Sequence, residues 1–335
     1  MRATRILISS AFLLPLAVTV WGAPRFVWEP GARMPIGKGG QVTGFVHGKL
    51  LSAGGTYWVD GEKKVWTDHL DVYDPREDSW SAGPAMPFAV SYGGGLAIND
   101  RLYVVSGSDG QKDYDYTMVC RKVGRQYHWV WGPSVPEPRI YPASVAIGSK
   151  LYVIGGAADS GFKGKVHNDI LILDTEHPEL GWKTSRPMPG SGRTLCAAAA
   201  VGDFIYVFGG YRQMPAGMAN SDDALVYDTV NDRWRRLPDA PYAARGWEAI
   251  GCGGQVYILG GFVTWPAASM RPEGFTDRIL RFDQATGVYA DAGELPIPVV
   301  GMNIRRMPDG RFIINGGEDI QKHRTDLVGI GKIVG

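Results

Sequence analysis

Glu318 and Arg324 are the two residues whose types and spacing best suit chemistry in this sequence. A carboxylate can take up and release a proton, and a nearby guanidinium can orient an anionic substrate. Glu318 follows a short motif that ends in glycine, and the same motif occurs five more times in the chain. In those five copies the residue after the glycine has no carboxylate: Thr56, Ser108, Ala157, Tyr211 and Phe262. The pair predicts acid/base catalysis, and the alternative is an ordinary loop salt bridge, which is worth little when exposed.

Four cations recur 16 or 17 residues before the second glycine of such motifs, namely Lys38, Arg139, Arg193 and Arg245. If the motifs are equivalent, these side chains surround one mouth of the molecule. Such a ring would attract and hold a small anion, for example a carboxylate. The alternative is that the four cations only bond to loop carbonyls.

Aromatic residues are frequent in the long loops that follow the glycine motifs, at 56–68, 157–168, 211–222 and 262–276. Long loops on one face of a rigid scaffold often carry the binding site. Aromatic rings suit the apolar faces of a sugar, so we expect Trp66 to contribute to substrate binding, although such rings can also simply pack the loops.

An internal repeat must position these side chains. The second glycine of an apolar strand that ends in Gly-Gly, or Ser-Gly in one copy, falls at residues 55, 107, 156, 210, 261 and 317. Each copy continues with further strand, a turn and an aromatic residue, and these aromatics are Trp80, Trp131, Trp182, Trp234 and Tyr289. The order resembles the Kelch repeat, in which about 50 residues form one four-stranded propeller blade.

The sixth copy ends early, because only one more strand, near residues 327–333, follows Gly317. The segment around Trp28 has the composition of the missing outer strand. We therefore predict an all-β, six-bladed Kelch β-propeller closed by an N-terminal strand in the last blade. Closure matters because an open ring would expose strand edges.

The motif Gly-Glu-x5-Arg-Thr-Asp that contains Glu318 and Arg324 is similar to that of the sialic-acid mutarotase (N-acetylneuraminate epimerase) family. Residues 64–68 and 106–110 resemble its cyclically permuted branch, in which the Glu/Arg blade comes last. The resemblance implies that Glu318 and Arg324 are the catalytic pair of an isomerase that opens and recloses the ring of a small anionic sugar. The alternative is a non-catalytic Kelch propeller that binds glycan or protein on the face carrying the loops between second and third strands (the b–c loops).

Composition excludes several other classes of function. The 335 residues carry a net charge of +1, so neither nucleic acid nor an anionic membrane is an expected partner. Three cysteines are too few for a disulfide framework or a cysteine-based zinc site. The six histidines show no repeated ligand spacing, which argues against a copper radical oxidase on a propeller. We predict no cofactor and no metal.

Residues 1–22 have the pattern of a secretory signal peptide, with Arg2 and Arg5 before an apolar run and small residues at its end. An uncleaved anchor is the alternative, but the run is shorter than the roughly 20 residues that a spanning helix needs. We expect a mature domain of residues 23–335, periplasmic or secreted, with no membrane segment.

Overall fold

The structure, a computed structural model, describes residues 23–266 and 272–335, so the predicted signal segment lies outside the described residues. The first strands in chain order are β1 (Arg25–Pro30), β2 (Val42–Val46), β3 (Lys49–Ala53), β4 (Thr56–Val59), β5 (Lys63–Trp66), β6 (Leu70–Asp74), β7 (Ser79–Ala82), β8 (Ala97–Ile98), β9 (Arg101–Ser108), β10 (Asp113–Val123) and β11 (Gln126–Gly132). Then follow β12 (Ala143–Ile147), β13 (Lys150–Ile154), β14 (Ile170–Asp174), β15 (Lys183–Thr184), β16 (Arg193–Thr194), β17 (Ala197–Val201), β18 (Phe204–Met214), β19 (Gly217–Asp228), β20 (Arg233–Leu237) and β21 (Ala243–Arg245). The last strands are β22 (Glu248–Cys252), β23 (Gln255–Leu259), β24 (Phe262–Thr264), β25 (Gly274–Phe275), β26 (Arg278–Asp283), β27 (Val288–Glu294), β28 (Asn303–Arg306), β29 (Phe312–Asn315), β30 (Glu318–Ile320), β31 (His323–Arg324) and β32 (Val328–Val334).

The described strands form an all-β propeller of antiparallel sheets. Five sheets are four-stranded, with the orders β2-β3-β6-β7, β11-β10-β9-β8, β12-β13-β14-β15, β22-β23-β26-β27 and β1-β32-β29-β28. An eight-stranded sheet contains the equivalent meander β17-β18-β19-β20, extended by short strands at its loop end. Within the described residues the helical part is the 3-10 turn Pro178–Leu180, and no helix has the length and apolarity to span a bilayer.

The hydrophobic core lies between neighbouring sheets and is divided into clusters that repeat around the molecule. These six large sheets are numbered in chain order, so that the eight-stranded sheet is the fourth and the sheet containing β1 is the last. One cluster joins Phe208 of the fourth sheet to Phe282 of the fifth, and another joins Leu50 of the first sheet to Ile313 of the last. Similar clusters fill the remaining junctions between consecutive sheets. Since each sheet is covered on both faces, its strands read as nearly continuous apolar runs rather than as an alternating pattern.

The N-terminal strand pairs where the sequence predicts. β1 runs antiparallel to β32, with Trp28 opposite Gly331, and it is the outermost strand of the sheet that contains β28 and β29. The indole of Trp28 covers Gly329 and Gly331, where a Cβ would lie 3.4 Å and 2.4 Å from its ring atoms. Residues from both ends of the chain therefore build one sheet.

An aromatic residue in the outer strand of each sheet donates a hydrogen bond to a backbone carbonyl of the neighbouring sheet. That carbonyl lies at the end of the neighbour's outer strand or just after it. The donors and acceptors are Trp80 to Ala32, Trp129 to Pro84, Trp182 to Pro133, Trp234 to Arg186, Tyr289 to Pro238 and Trp28 to Glu294, at 2.8–3.0 Å. The sequence assigned this position in the second repeat to Trp131, which is wrong. Trp131 is 61% exposed, and the ladder register gives the role to Trp129, two residues earlier on the same strand.

Candidate functional site

A collar of backbone surrounds one end of the central channel. Each repeat places one residue with positive φ there: Gly40, Tyr92, Tyr141, Leu195, Gly246 and Gly301, with φ between 53° and 72°. The amide of each of the last five donates to the carbonyl of the residue before it in this series, at 2.7–2.8 Å. Because the collar fixes the backbone, the side chains at Tyr92, Tyr141 and Leu195 are held in place at the channel.

A cavity of about 360 Å³ lies inside this collar and is lined by all six of its residues. Ligand sites of proteins usually measure about 300–1,000 Å³, so the cavity suits one small molecule rather than an extended polymer. At its opening stand Glu318, Arg324, Lys64 and Phe162, which come from the b–c loops. The long loops thus contribute side chains to the cavity on the face that the sequence selected.

Glu318 and Arg324 lie directly opposite each other on the hairpin formed by β30 and β31. Arg324 Nη1 forms an ion pair with Glu318 Oε2, and the amide of Lys322 donates to Glu318 Oε1 at 3.2 Å. Arg324 Nη2 donates to the hydroxyl of Tyr92 at 3.2 Å, whereas its Nε is buried with no partner among the described residues. The sequence-predicted pair is therefore assembled at the cavity opening.

The guanidinium of Arg324 approaches the chain at Gly39, the residue after Lys38. A Cβ at Gly39 would lie 3.0–3.4 Å from the end of the Arg324 side chain, including Nε and Cζ. A larger residue would push the guanidinium away, so glycine at this place keeps Arg324 packed against the first repeat. This contact links the last repeat to the first at the opening of the cavity.

An aromatic and cationic wall stands beside this pair. Tyr92 packs against Tyr141 with ring centres 4.5 Å apart and planes inclined at 40°, and Phe162 stacks on Tyr141 at 5.4 Å. The Lys64 ammonium lies 4.8 Å from the centre of the Tyr92 ring and has no ion pair or hydrogen bond among the described residues. A ligand with an apolar face and an anionic group would match this wall.

Three of the four predicted mouth cations are not at the mouth, and this expectation is corrected. Lys38, Arg139 and Arg193 are 1%, 3% and 0% exposed, and each forms an ion pair with an aspartate. The pairs are Lys38 with Asp71 at 2.6 Å, Arg139 with Asp169 at 2.5 Å and Arg193 with Asp223 at 2.9 Å. Because all three also donate to carbonyls on or beside the glycine motifs, at Ser52, Gly155 and Gly209, they hold the sheets rather than a ligand.

The remaining predicted binding residues, Arg245 and Trp66, lie outside the cavity lining. Arg245 donates to Asn220 Oδ1 at 2.8 Å and stacks on Phe262, 4.2 Å from the ring centre. The ring of Trp66 contacts Lys64, whose ammonium is 5.2 Å away, and packs closely against Gly110. Trp66 therefore contacts the cavity residue Lys64 without lining the cavity itself. Arg245 is engaged with the loops that contain Asn220 and Phe262.

The inner end of the cavity carries a carboxylate that the sequence did not single out. Glu248 begins β22 and lines the cavity, together with Arg305 of β28. Arg305 donates to the carbonyls of Thr43 and Ile304 at 2.9 Å and 2.7 Å, so its guanidinium is occupied by backbone. Burial raises the pKa of Glu248 to about 7, although the nearby Arg305 acts in the opposite direction.

The structure describes no group of three or more His, Cys, Asp or Glu side chains placed to hold a metal ion. Sequence reasoning missed Lys64, Tyr92, Tyr141 and Glu248. A signal for the two tyrosines existed, because both stand 15 residues before the second glycine of their motif, as Gly40, Leu195 and Gly246 do. Glu248 also had a signal, because the equivalent position of four other repeats carries no carboxylate: it is Val42, Ala143, Ala197 and Asn303.

Comparisons with known proteins agree with the repeat. The family model for the KLHDC2/KLHL20/DRC7 Kelch-repeats domain matches residues 40–261. Kelch-like protein 35 of Mus musculus is 26% identical over 44% of this chain and 22% of its own length. N-acetylneuraminate epimerase of Haemophilus influenzae (strain PittEE) is 29% identical over 40% of this chain and 43% of its own length. Kelch-like protein terF of Aspergillus terreus is 26% identical over 83% of this chain and 59% of its own length. The chain thus spans between 22% and 59% of the length of these relatives.

Proposed function

This chain belongs to the KLHDC2/KLHL20/DRC7 Kelch-repeats domain family, and we propose that it is a sugar isomerase that interconverts the anomers of sialic acid. One observation carries the proposal: the carboxylate of Glu318 and the guanidinium of Arg324 form a pair at the opening of a small central cavity. The equivalent position after the glycine motif carries no carboxylate in the other five repeats. Partial similarity to an N-acetylneuraminate epimerase supports the same substrate class.

The reaction needs one group that moves a proton. A base removes the proton of the anomeric hydroxyl, the bond from the anomeric carbon to the ring oxygen breaks as the carbonyl forms, and the ring oxygen takes up a proton. Closure on the other face of the carbonyl reverses these steps. In this proposal Glu318 moves the proton, and Arg324 stabilises the charge that develops on the oxygen.

The opening of the cavity supplies recognition of an anionic sugar. Lys64 offers an ammonium without an ionic partner among the described residues, next to the donors of Arg324. The adjoining rings of Tyr92 and Tyr141, inclined at 40° to each other, provide apolar surface for one face of the sugar ring. A substrate carboxylate beside Lys64 leaves its ring against the tyrosines and its anomeric centre near Glu318.

We further infer that the blades number six and that β1 closes the ring. Two features support this: the pairing of β1 with β32, and contacts of β28 with both β22 and β2. We also infer that residues 1–22 are a cleaved signal peptide, which directs the mature domain 23–335 to the periplasm or outside the cell.

The test of the proposed activity is the rate at which the anomers of N-acetylneuraminate exchange, followed by NMR with and without the purified protein. Wild type is expected to accelerate exchange. Glu318→Gln keeps the size of the side chain but removes the basic site, so its rate should fall by about 10²–10⁴-fold with affinity largely retained.

The matched control is Asp319→Asn, which neutralises the next carboxylate on the same hairpin. Asp319 faces His323 rather than the cavity, so exchange by this variant should stay within about twofold of wild type. Equal rates for wild type and Glu318→Gln would remove the catalytic role of Glu318.

A second candidate function is a non-catalytic module that binds glycan or protein on the b–c loop face. The similarity to Kelch-like proteins favours it. This alternative gives no acceleration by wild type, and Glu318→Gln would then change only the affinity for the ligand.

A further inference from the structure

Among the charged side chains of the cavity, the described residues give neither a hydrogen bond nor an ion pair to Lys64 or to Glu248, and Glu248 is the carboxylate of the two. Its neighbours explain why. Arg305, the nearby cation, is held by the carbonyls of Thr43 and Ile304 and by Asn303 Oδ1. On the other side, β17 (Ala197–Val201) carries no polar side chain. The Glu248 side chain is half-buried and its oxygens remain accessible from the cavity, so a donor group of a ligand bound there can reach them.

A second unpartnered acceptor lines the same cavity. Gln41 is 4% exposed, and its Oε1 is buried with no donor among the described residues. Its Nε2 reaches the carbonyl of Asn315 at 3.5 Å, so the amide is oriented by the last sheet. Two acceptors in one enclosed space call for a ligand rich in donors.

These acceptors lie at the far end of the cavity from Glu318. Ser144, Ala198 and Arg305 line both this cavity and a second one, of about 310 Å³, whose other lining residues lie farther along the same strands. Glu248 directly precedes Ala249, which lines the second cavity. The cations Lys64 and Arg324 are at the opening, so the cavity is cationic at its mouth and accepts hydrogen bonds at its base.

We propose that the inner end of the cavity is a second ligand subsite, in which Glu248 and Gln41 accept hydrogen bonds from the hydroxyl groups of a polyhydroxylated ligand. The inference rests on the proposed function and adds the orientation of the substrate. The sugar enters with its hydroxylated, uncharged part first and keeps its carboxylate at Lys64 and Arg324. A second anionic group at the inner end would be repelled by Glu248.

The experiment compares two ligands by calorimetric titration. N-acetylneuraminate has the carboxylate and the hydroxyls, whereas tetrahydropyran-2-carboxylate keeps the ring and the carboxylate but has no hydroxyl. Glu248→Met keeps the approximate size of the side chain and removes both acceptor oxygens. Its Kd for N-acetylneuraminate should rise about ten- to a hundredfold, as expected for losing hydrogen bonds to a charged group. Its Kd for tetrahydropyran-2-carboxylate should stay unchanged.

Glu294→Met, on the outer strand of the same sheet, is the matched control and should leave both Kd values as they are. Glu248→Gln is a second, isosteric variant that retains one acceptor, and it should show a smaller loss for the sugar alone. An unchanged Kd for the sugar in both Glu248 variants overturns the subsite, as does an equal loss for both ligands or a wild type that binds no sugar. If wild type binds the sugar but does not accelerate exchange, the isomerase proposal fails, while the difference between the two ligands still supports the subsite.

Discussion

Arg193 and Arg324 carry the same guanidinium in different surroundings. Arg193 is completely buried, and it makes a bidentate pair with Asp223 and a bond to the Gly209 carbonyl, so none of its donors is accessible to a ligand. Arg324 lies at the cavity opening and shares its donors between Glu318 and the Tyr92 hydroxyl. Burying the Arg193–Asp223 ion pair costs desolvation free energy, and the pair serves to hold the sheets. The Arg324–Glu318 pair lies at a cavity, where its members can exchange each other for a substrate.

The pKa of Glu248 leads to a prediction about stability. Burial raises this pKa to about 7 in the folded protein, above the value near 4.5 that a free glutamate has, while Arg305 is the charged group opposite it. Between these two pH values Glu248 ionises in the unfolded chain but stays protonated in the folded protein, so the free energy of unfolding falls as pH rises. Above pH 7 the folded protein is destabilised by the full amount, about 3 kcal/mol. Glu248→Gln should therefore be more stable than wild type at pH 8 and equal to it near pH 4.

Thermal unfolding of wild type and Glu248→Gln at pH 4 and pH 8 measures this difference. Other titratable groups are common to both proteins and cancel. The same difference in Tm at both pH values would contradict a raised pKa at Glu248. A carboxylate that weakens the fold at neutral pH is consistent with a residue retained for ligand binding.

At the scale of elements, the outer strand of each sheet is fastened to its neighbour by one aromatic hydrogen bond. In the last sheet this fastening comes from β1, through the bond of Trp28 to the Glu294 carbonyl. The Trp28 ring also stacks on Phe26 with centres 5.2 Å apart and covers the two glycines of β32. The strand from the N-terminus therefore joins three parts of the molecule: β32, the core cluster around Phe26 and the fifth sheet.

Trp28→Ala should lower the free energy of unfolding by about 3 kcal/mol, because it removes a large ring and leaves a cavity over Gly331. Trp131→Ala is the matched control in the second sheet, where the ring is exposed and makes no equivalent bond to a carbonyl. It should cost less than about 1 kcal/mol. Chemical denaturation of the three proteins gives both values, and equal losses would show that β1 does not fasten the ring.

For the whole molecule, we predict that the protein is exported from the cytoplasm. The proposed site acts only where its substrate is present, and the signal-peptide pattern of residues 1–22 indicates a place outside the cytoplasm. When the full chain is produced with its N-terminus intact in a bacterial host, the purified protein should begin near Ala23 or Pro24 and appear in the periplasmic fraction. N-terminal sequencing and fractionation measure this. Protein that starts at Met1, or that stays in the cytoplasm, would contradict the signal-peptide proposal.

The repeat and the strands that it builds could be predicted from the amino-acid sequence alone. Apolar strands, turns and glycine pairs recur at nearly constant spacing, and such local patterns are set by backbone preferences that each segment carries within itself. Gly155 illustrates this: its φ is +61°, and a Cβ there would lie 2.3 Å from the Arg193 carbonyl. The odd position of Glu318 was visible for the same reason, because a repeat allows each copy to be compared with the others. The missing outer strand at the C-terminal end also predicted the pairing of β1.

Which charged side chains face the cavity could be read from the three-dimensional structure but not from the sequence. Lys38, Arg139 and Arg193 have the spacing of mouth residues, but each meets an aspartate that stands 30 or 33 residues later in the chain. In the part of the chain that the structure describes, neither Glu248 nor Lys64 has such a partner. The physical reason is that a charge is neutralised or left available according to what lies beside it in space, and the antiparallel pairing of distant strands fixes those neighbours.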